Sequence, residues 1–343
     1  MLYFVSYMEL RERVNAFAEL GVRLAQLDDL TAQQWAIEAN AVNKWFTVNS
    51  VRESVKNIAA MLNPDKLRQW ISRYDWKERE SRRVGLVLAG NIPMVGIHDI
   101  ICVLVSGHSA EIKLSTQDAV LIPKVLDILI QIDGRFSKQI HFMQKLTGAD
   151  AFIATGSDNS SRYFDYYFSH KPNIIRKNRT SVAVLNGFEE KQDIARLGED
   201  IFAYFGLGCR NVSKIYIPDG YSPSDIYSSL EAFAYVVDHN KYANNYEYTR
   251  AIYLLKSISC FDNGFLLLKE DEALASPISV LYYEHYHSEE ALKNKLELQK
   301  EKIQIVTSST GWWSDSIPFG KAQEPELWDY ADNVDTLQFL TRL

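Results

Sequence analysis

Cys209 is the residue of this chain with the most chemistry within reach. It lies in Phe205-Gly206-Leu207-Gly208-Cys209-Arg210, directly before the strand-like run Val212-Ser213-Lys214-Ile215-Tyr216-Ile217. Two glycines let the backbone come close to whatever meets the sulfur. The arginine that follows is a cation, and an adjacent cation favours thiolate over thiol. A thiolate on a Gly-rich turn beside a strand presents a nucleophile to an acyl carbon. The competing reading is a small buried hydrophobe, the usual fate of a free cysteine. The other two cysteines have different surroundings. Cys102 sits in an apolar run and reads as core, and Cys260 follows Ser257-Ile258-Ser259 with no cation beside it.

Other polar residues stand at the ends of apolar runs. Asn91, in Gly90-Asn91, carries two amide donors that can face a developing oxyanion; the alternative is a turn asparagine serving the backbone. Lys113 closes Ala110-Glu111-Ile112-Lys113, where a cation can meet ribose hydroxyls or phosphate, or simply reach out to solvent. Gly156 and Ser157 can open a helix at a phosphate, or form a plain N-cap turn. No Gly-x-Gly-x-x-Gly occurs, which argues against an ordinary Rossmann dehydrogenase. Glu284, His285 and His287 are a small polar cluster without a third spaced metal ligand. Trp312 and Trp313 read as packing residues that can also line an acyl tunnel.

Strands and helices must position these groups. Residues 6–80 show helical spacing of apolar positions, as in Val51-Val55-Ile58-Leu62, with a break at Pro64. From Arg83 the pattern becomes strand, turn, helix. Strands are expected at Val84–Ala89, Ala110–Leu114, Ile140–Met143, Ala151–Ala154 and Ser181–Leu185. Helices are expected at Met94–Ser106, Ala119–Ile132 and Glu189–Phe205. A further α/β segment follows from Ile215 to Val306, its clearest strands being Phe265–Leu268 and Ile303–Val306. Alternating strands and helices predict an α/β fold with parallel sheets, whose ligands sit at the carboxyl ends of the strands.

The 343 residues are 47% hydrophobic and 24% charged, enough for a large core in two lobes. The net charge of -7 gives no footing for nucleic acid or an anionic membrane. Three well-separated cysteines make no disulfide framework and suit a reducing, cytoplasmic setting. The apolar stretch Val84–Val105 is broken by Asn91, Pro93, His98 and Asp99, so a buried strand, turn and helix explain it better than a membrane span. The N-terminus lacks the basic start and cleavage site of a signal peptide. The sequons at Asn178 and Asn211 read as chance.

Several strand ends, taken in order, resemble the aldehyde dehydrogenase superfamily, and more closely its LuxC-type fatty acyl-CoA reductase branch. The resemblance runs from about Val84 to the C-terminus. Leu88-Ala89-Gly90-Asn91-Ile92-Pro93 resembles the segment of the oxyanion-stabilising asparagine. Glu111-Ile112-Lys113-Leu114-Ser115 resembles the Lys-Pro-Ser cofactor strand, with Leu114 where proline is usual. Ala154-Thr155-Gly156-Ser157 resembles the Thr-Gly-Ser turn near the cofactor. Gly206-Leu207-Gly208-Cys209 resembles the loop of the nucleophilic cysteine, and Ile317-Pro318-Phe319-Gly320 the Pro-Phe-Gly near the C-terminus.

The resemblance implies a two-lobed aldehyde-dehydrogenase-like fold, each lobe a mostly parallel sheet flanked by helices. Residues 1–185 would be the N-terminal helices and cofactor domain, 186–309 the catalytic domain, and 310–343 a tail packing across the lobes. It implies Cys209 as nucleophile, Asn91 as oxyanion donor, and Lys113, Ser115, Thr116, Gly156, Ser157 and Phe319 as cofactor contacts. Thr116 stands where NAD-preferring members often carry a ribose-binding glutamate, which tilts the cofactor towards NADPH. The stretch comparable to the Glu-Leu-Gly-Gly-Lys strand is Ile175–Ser181, which has no acid to activate water. The implied activity is NADPH-dependent reduction of an acyl-CoA, in the first instance a fatty acyl-CoA, to the aldehyde. A reductase of another activated acyl group, a CoA-acylating aldehyde dehydrogenase, and a non-catalytic scaffold for an acyl-activating partner protein stay open beside it. Self-association into a homo-oligomer is open too.

Overall fold

The computed structural model describes residues 8–77, 80–156 and 158–343. They form two units. The first runs to Asn178 and takes in Pro325–Leu343; the second is Arg179–Glu324.

The first unit opens with four helices: α1 (Leu10–Ala25), α2 (Asp29–Val42), α3 (Val48–Met61) and α4 (Pro64–Ile71). Their starts follow from side chains that satisfy the free N–H groups of a first turn. Glu9 and Glu12 form a capping box, Asp28 accepts from the Thr31 N–H, Thr47 from that of Ser50, and Asn63 caps α4 with Pro64 at its first position. Val14, Phe17, Leu20 and Leu24 of α1 recur every three or four residues and are buried together with Val51, Val55 and Ile58 of α3.

The chain then alternates. The strands β1 (Arg83–Val87), β2 (Ser109–Lys113), β3 (Ile140–Phe142), β4 (Ala151–Thr155) and β5 (Asn173–Arg176) form a parallel sheet in the order β3-β2-β1-β4-β5. Helices α5 (Ile97–Val105), α6 (Leu121–Ile132) and α7 (Asp158–Phe168) follow β1, β2 and β4. A sheet covered on both faces calls for strands that are apolar throughout, and Val84–Leu86 and Ala151–Ala154 are buried without alternation. The apolar stretch Val84–Val105 resolves into β1, a turn and α5. No helix among the described residues is long and apolar enough to cross a membrane. Leu327, Tyr330, Leu337 and Leu340 of the returning segment belong to the same core. The Trp70 indole donates to the Tyr330 hydroxyl at 2.6 Å, and His98 and His108 bond the carbonyls of Leu327 and Leu340 at 2.9 and 3.0 Å.

The second unit contains β6 (Thr180–Val184), α8 (Lys191–Phe202), β7 (Val212–Pro218), α9 (Tyr227–Leu230), α10 (Asn240–Leu255), β8 (Phe261–Asp262), β9 (Leu267–Glu270), β10 (Val280–Tyr286), α11 (Glu289–Leu298), β11 (Ile303–Ser308) and β12 (Ile317–Pro318). Its seven-stranded sheet has the order β12-β11-β6-β7-β10-β9-β8, and only the short β8 runs antiparallel. The two-sheet α/β architecture is the expected one. The boundaries differ from 185 and 309. β6 is hydrogen-bonded between β7 and β11, so the first break falls before Arg179, and residues up to Glu324 stay with the second unit.

Glu284 and His285 lie on β10, and His287 follows it. The Lys214 ammonium, fully buried on β7, donates to Glu284 at 2.6 Å and to the Asp271 carbonyl at 2.8 Å, and Lys295 takes the other Glu284 oxygen. His287 pairs with Asp219. These contacts give the cluster a structural employment.

Candidate active site

In the first unit the expected site residues lie at the carboxyl ends of three adjacent strands, the oxyanion candidate after β1 and the cofactor candidates at the ends of β2 and β4. β1 lies where the strand order reverses, with β2 and β3 on one side and β4 and β5 on the other. The crevice outside such a switch point is where open α/β sheets bind ligands. Asn91 is half-buried in the bend after β1, Lys113 ends β2 with its side chain exposed, and Gly156 follows β4 with its N–H on the Arg176 carbonyl at 3.4 Å. Thr116 is exposed, and Ser115 is half-buried, its hydroxyl accepting the Gln117 N–H at 3.2 Å. Ser157 lies outside the described residues. A cation, two hydroxyls and no carboxylate across Lys113–Gln117 are a donor set that fits an anionic dinucleotide, including one with a 2'-phosphate.

The Asn91 bend is bolted from three sides. Asp118 accepts the Met94 N–H at 2.6 Å, Ser54 donates to the Pro93 carbonyl at 2.8 Å, and Asn43 donates to the Gly90 carbonyl at 3.4 Å. Met94 is left-handed, at φ 56°. A side chain at Gly90 would place its Cβ 2.5 Å from the Ser115 hydroxyl, so β1 and β2 approach closely only with glycine there. Burial pushes the Asp118 carboxyl up to about 6, against the pull of its backbone bonds.

In the second unit, α8 gives way to three successive left-handed residues, Tyr204, Phe205 and Gly206, at φ 49°, 59° and 77°. Helix spacing alone carries α8 to Phe205; the structure ends it at Phe202. Two aromatic residues in this conformation are costly and persist only where their surroundings hold them. The Phe205 ring packs 4.4 Å from that of His239 and 6.2 Å from that of Tyr242. The larger constraint is Asn211. Its buried amide donates to the carbonyls of Ala203 at 2.8 Å and Asp200 at 3.0 Å, which an ending helix leaves without partners. Its side-chain oxygen accepts the Gly208 N–H at 2.7 Å, and its own N–H returns to the Gly208 carbonyl at 3.0 Å. Gly208 to Asn211 is therefore a closed turn, and Cys209 is at its crest. The Ser181 hydroxyl fastens the Cys209 carbonyl to β6 at 2.9 Å.

The three thiols differ as their neighbours suggest. Cys209 is half-buried on this turn. Cys102 is sealed inside α5, and burial pushes its thiol well up. Burial and then the Asp262 charge raise that of Cys260.

Phe319 is only 1% exposed, and its N–H bonds the Ser308 carbonyl at 3.0 Å. Its segment reaches the Cys209 turn through Asp200, which sequence reasoning passed over, and through Arg210, which it read only as a cation beside the sulfur. The Asp200 carboxylate accepts the N–H groups of Gly320 and Ala322, both at 2.9 Å, and the Arg210 side chain donates to the Ala322 carbonyl at 2.5 Å. Asn211 too was read only as a chance sequon; an asparagine between a Gly-rich turn and a strand was the available signal. The stretch expected to replace the water-activating strand runs from the end of β5 into the start of β6. Arg176 there is buried against Asp99 and donates to the Thr336 hydroxyl at 2.7 Å.

No protein-family model matches the chain, and no curated protein matches it in sequence. Solved structures do match. An NADP-dependent enzyme of E. coli superposes with TM-score 0.65 at 11% identity, over 89% of this chain and 74% of that one. An aldehyde dehydrogenase of Physcomitrella patens, solved with its product succinate, gives 0.64 at 12% over 89% and 74%. A Mycobacterium tuberculosis aldehyde dehydrogenase complexed with NAD+ gives 0.61 at 14% over 92% and 75%. The chain has the aldehyde dehydrogenase fold.

Proposed function

We propose that this protein is an oxidoreductase of the aldehyde dehydrogenase type that reduces an acyl-CoA to the aldehyde with NADPH, through a thioester on Cys209. The observation that carries this reading is the Cys209 turn: a half-buried cysteine held at the crest of a closed turn by Asn211, beside an arginine. The lack of any carboxylate over Ile175–Ser181 supports transfer between thiols rather than hydrolysis, since thiolates need no base to activate water.

Cys209 attacks the thioester carbonyl, and the new C–S bond expels CoA as its thiolate. The Cys209 N–H is assigned to the oxyanion, where one donor is worth about 3 kcal/mol, and the resemblance gives the Asn91 amide the same role. Lys113, Ser115 and Thr116 hold the cofactor, and Gly156 lets its backbone approach a phosphate. The reduced nicotinamide, when bound, supplies hydride to the acyl carbon. Cys209 then leaves as thiolate and the aldehyde is released.

Incubation with acyl-CoA and NADPH, followed at the absorbance of the reduced cofactor, tests this. Cofactor consumption with release of free CoA is expected, and none from Cys209→Ala. A normal rate in that variant would remove the mechanism.

A further inference from the structure

The turn that carries Cys209 is one side of a closed ring of hydrogen bonds. Gly320 and Ala322 donate to the Asp200 carboxylate, Arg210 donates to the Ala322 carbonyl, and Asn211, next in the chain, donates to the Asp200 carbonyl. Asn211 also holds the N–H of Gly208, the residue before the cysteine. Every member belongs to the second unit. We propose that Asp200 is a positioning residue for the Cys209 thiolate, its carboxylate joining the cysteine's turn to the Pro318-Phe319-Gly320 segment so that the charge on that carboxylate sets how firmly the turn is held. The proposal rests on the reading of Cys209 as the nucleophile and adds a control to that site.

Asp200 is 1% exposed and touches the reaction only through the ring. An ionised carboxylate suits two converging N–H donors because it is acceptor on both oxygens; an amide would set its own NH2 against one of them. Gly320 is fitted to the contact at φ 79°, a left-handed conformation in which any side chain would be strained. The pairing is sensitive to protons. Burial, with some help from Glu199, pushes the Asp200 carboxyl up to about 7, while the two backbone bonds and Arg210 oppose it. The charged groups around it are Glu199 and Arg196 on α8, Arg210 on the turn, and Lys321 and Glu324 in the segment, the last two paired with each other at 2.8 Å. Protonation in the neutral range removes the charge that strengthens both N–H contacts, so the ring tightens above that range and loosens below it.

The test is the rate at which iodoacetamide alkylates Cys209 between pH 5.5 and 9, read by peptide mass spectrometry on the full chain, with Cys260 as internal standard. The wild type is expected to show two steps, one from the thiol and one near neutrality. Asp200→Asn is expected to lose the second step and to change the Cys209 rate at pH 8 at least about fivefold, with Cys260 unaffected. Superimposable wild-type and variant profiles in a folded variant would overturn the proposal. Should the variant fail to fold by circular dichroism, hydrogen exchange on the wild type decides. The amides of Gly208, Gly320 and Ala322, corrected for intrinsic rates, are expected to lose protection together as pH falls through 7, and independent behaviour would overturn it. Alkylation needs neither acyl-CoA nor cofactor, so an absence of turnover would undo the proposed reaction and leave this result standing.

Discussion

Asn211 shows how a single side chain can stand in for a network. Its amide completes two carbonyls at the end of α8, and its oxygen holds the N–H ahead of Cys209. Asn211→Ala leaves these buried groups without partners, each costing about 1–3 kcal/mol. The expected loss is about 3 kcal/mol in urea unfolding, with alkylation of Cys209 no longer distinguishable from that of an exposed thiol. At the same scale, Thr116→Glu would place a carboxylate where the proposed function puts a 2'-phosphate. The ratio of kcat/KM for NADPH over NADH is expected to fall about tenfold or more. The turn that carries Cys209 was legible from its two glycines, because those are local signals. Asp200 was not, because its partners are backbone groups 120 and 122 residues ahead, and Asn211 left only the faint signal of an asparagine after a Gly-rich turn, since its partners are backbone groups too.

At the scale of elements, the strands of the first sheet were legible because burial on both faces makes them continuous apolar runs. β10 was not read as a strand, since its buried Val280–Tyr283 passes straight into the polar Glu284-His285. α7 was read only as a helix opening at Gly156 and Ser157 and given no extent, because Asp158–Phe168 mixes polar and aromatic residues without a clean apolar run. α8 was read too long because Ala203-Tyr204-Phe205 continues an apolar pattern, and nothing in two aromatic residues announces a left-handed backbone. The Asn91 bend gives this scale its prediction. Asp118 has a folded-state pKa of about 6, above the ordinary carboxyl value of 3.8. A raised carboxyl contributes stability that is whole below the unfolded value and is lost as pH rises through the folded one. Asp118→Asn does not titrate, so its deficit against wild type should shrink by about 1 kcal/mol between pH 5 and pH 8. Urea unfolding at the two pH values measures this, and a deficit that grows with pH would contradict it.

At the scale of the whole molecule, two α/β units with mostly parallel sheets were legible from the alternation of elements. The break points were not. β6 reads as the next strand of a continuing series, and only its pairing with β7 and β11 assigns it to the second sheet. The destination of the last residues is likewise a long-range fact: Leu327, Tyr330, Leu337 and Leu340 complete the first unit's core. Truncation after Glu324 is expected to strip amide protection from β1 and β2 before it affects β6 and β7, as hydrogen exchange would report. The chemistry assigned to the molecule is tested most directly by intact-mass spectrometry after exposure to acyl-CoA without cofactor. One acyl group should appear on the wild type, map to the peptide of Cys209, and be absent from Cys209→Ala. An unmodified wild type, or an adduct on Cys102 or Cys260, would contradict the reaction proposed for this protein.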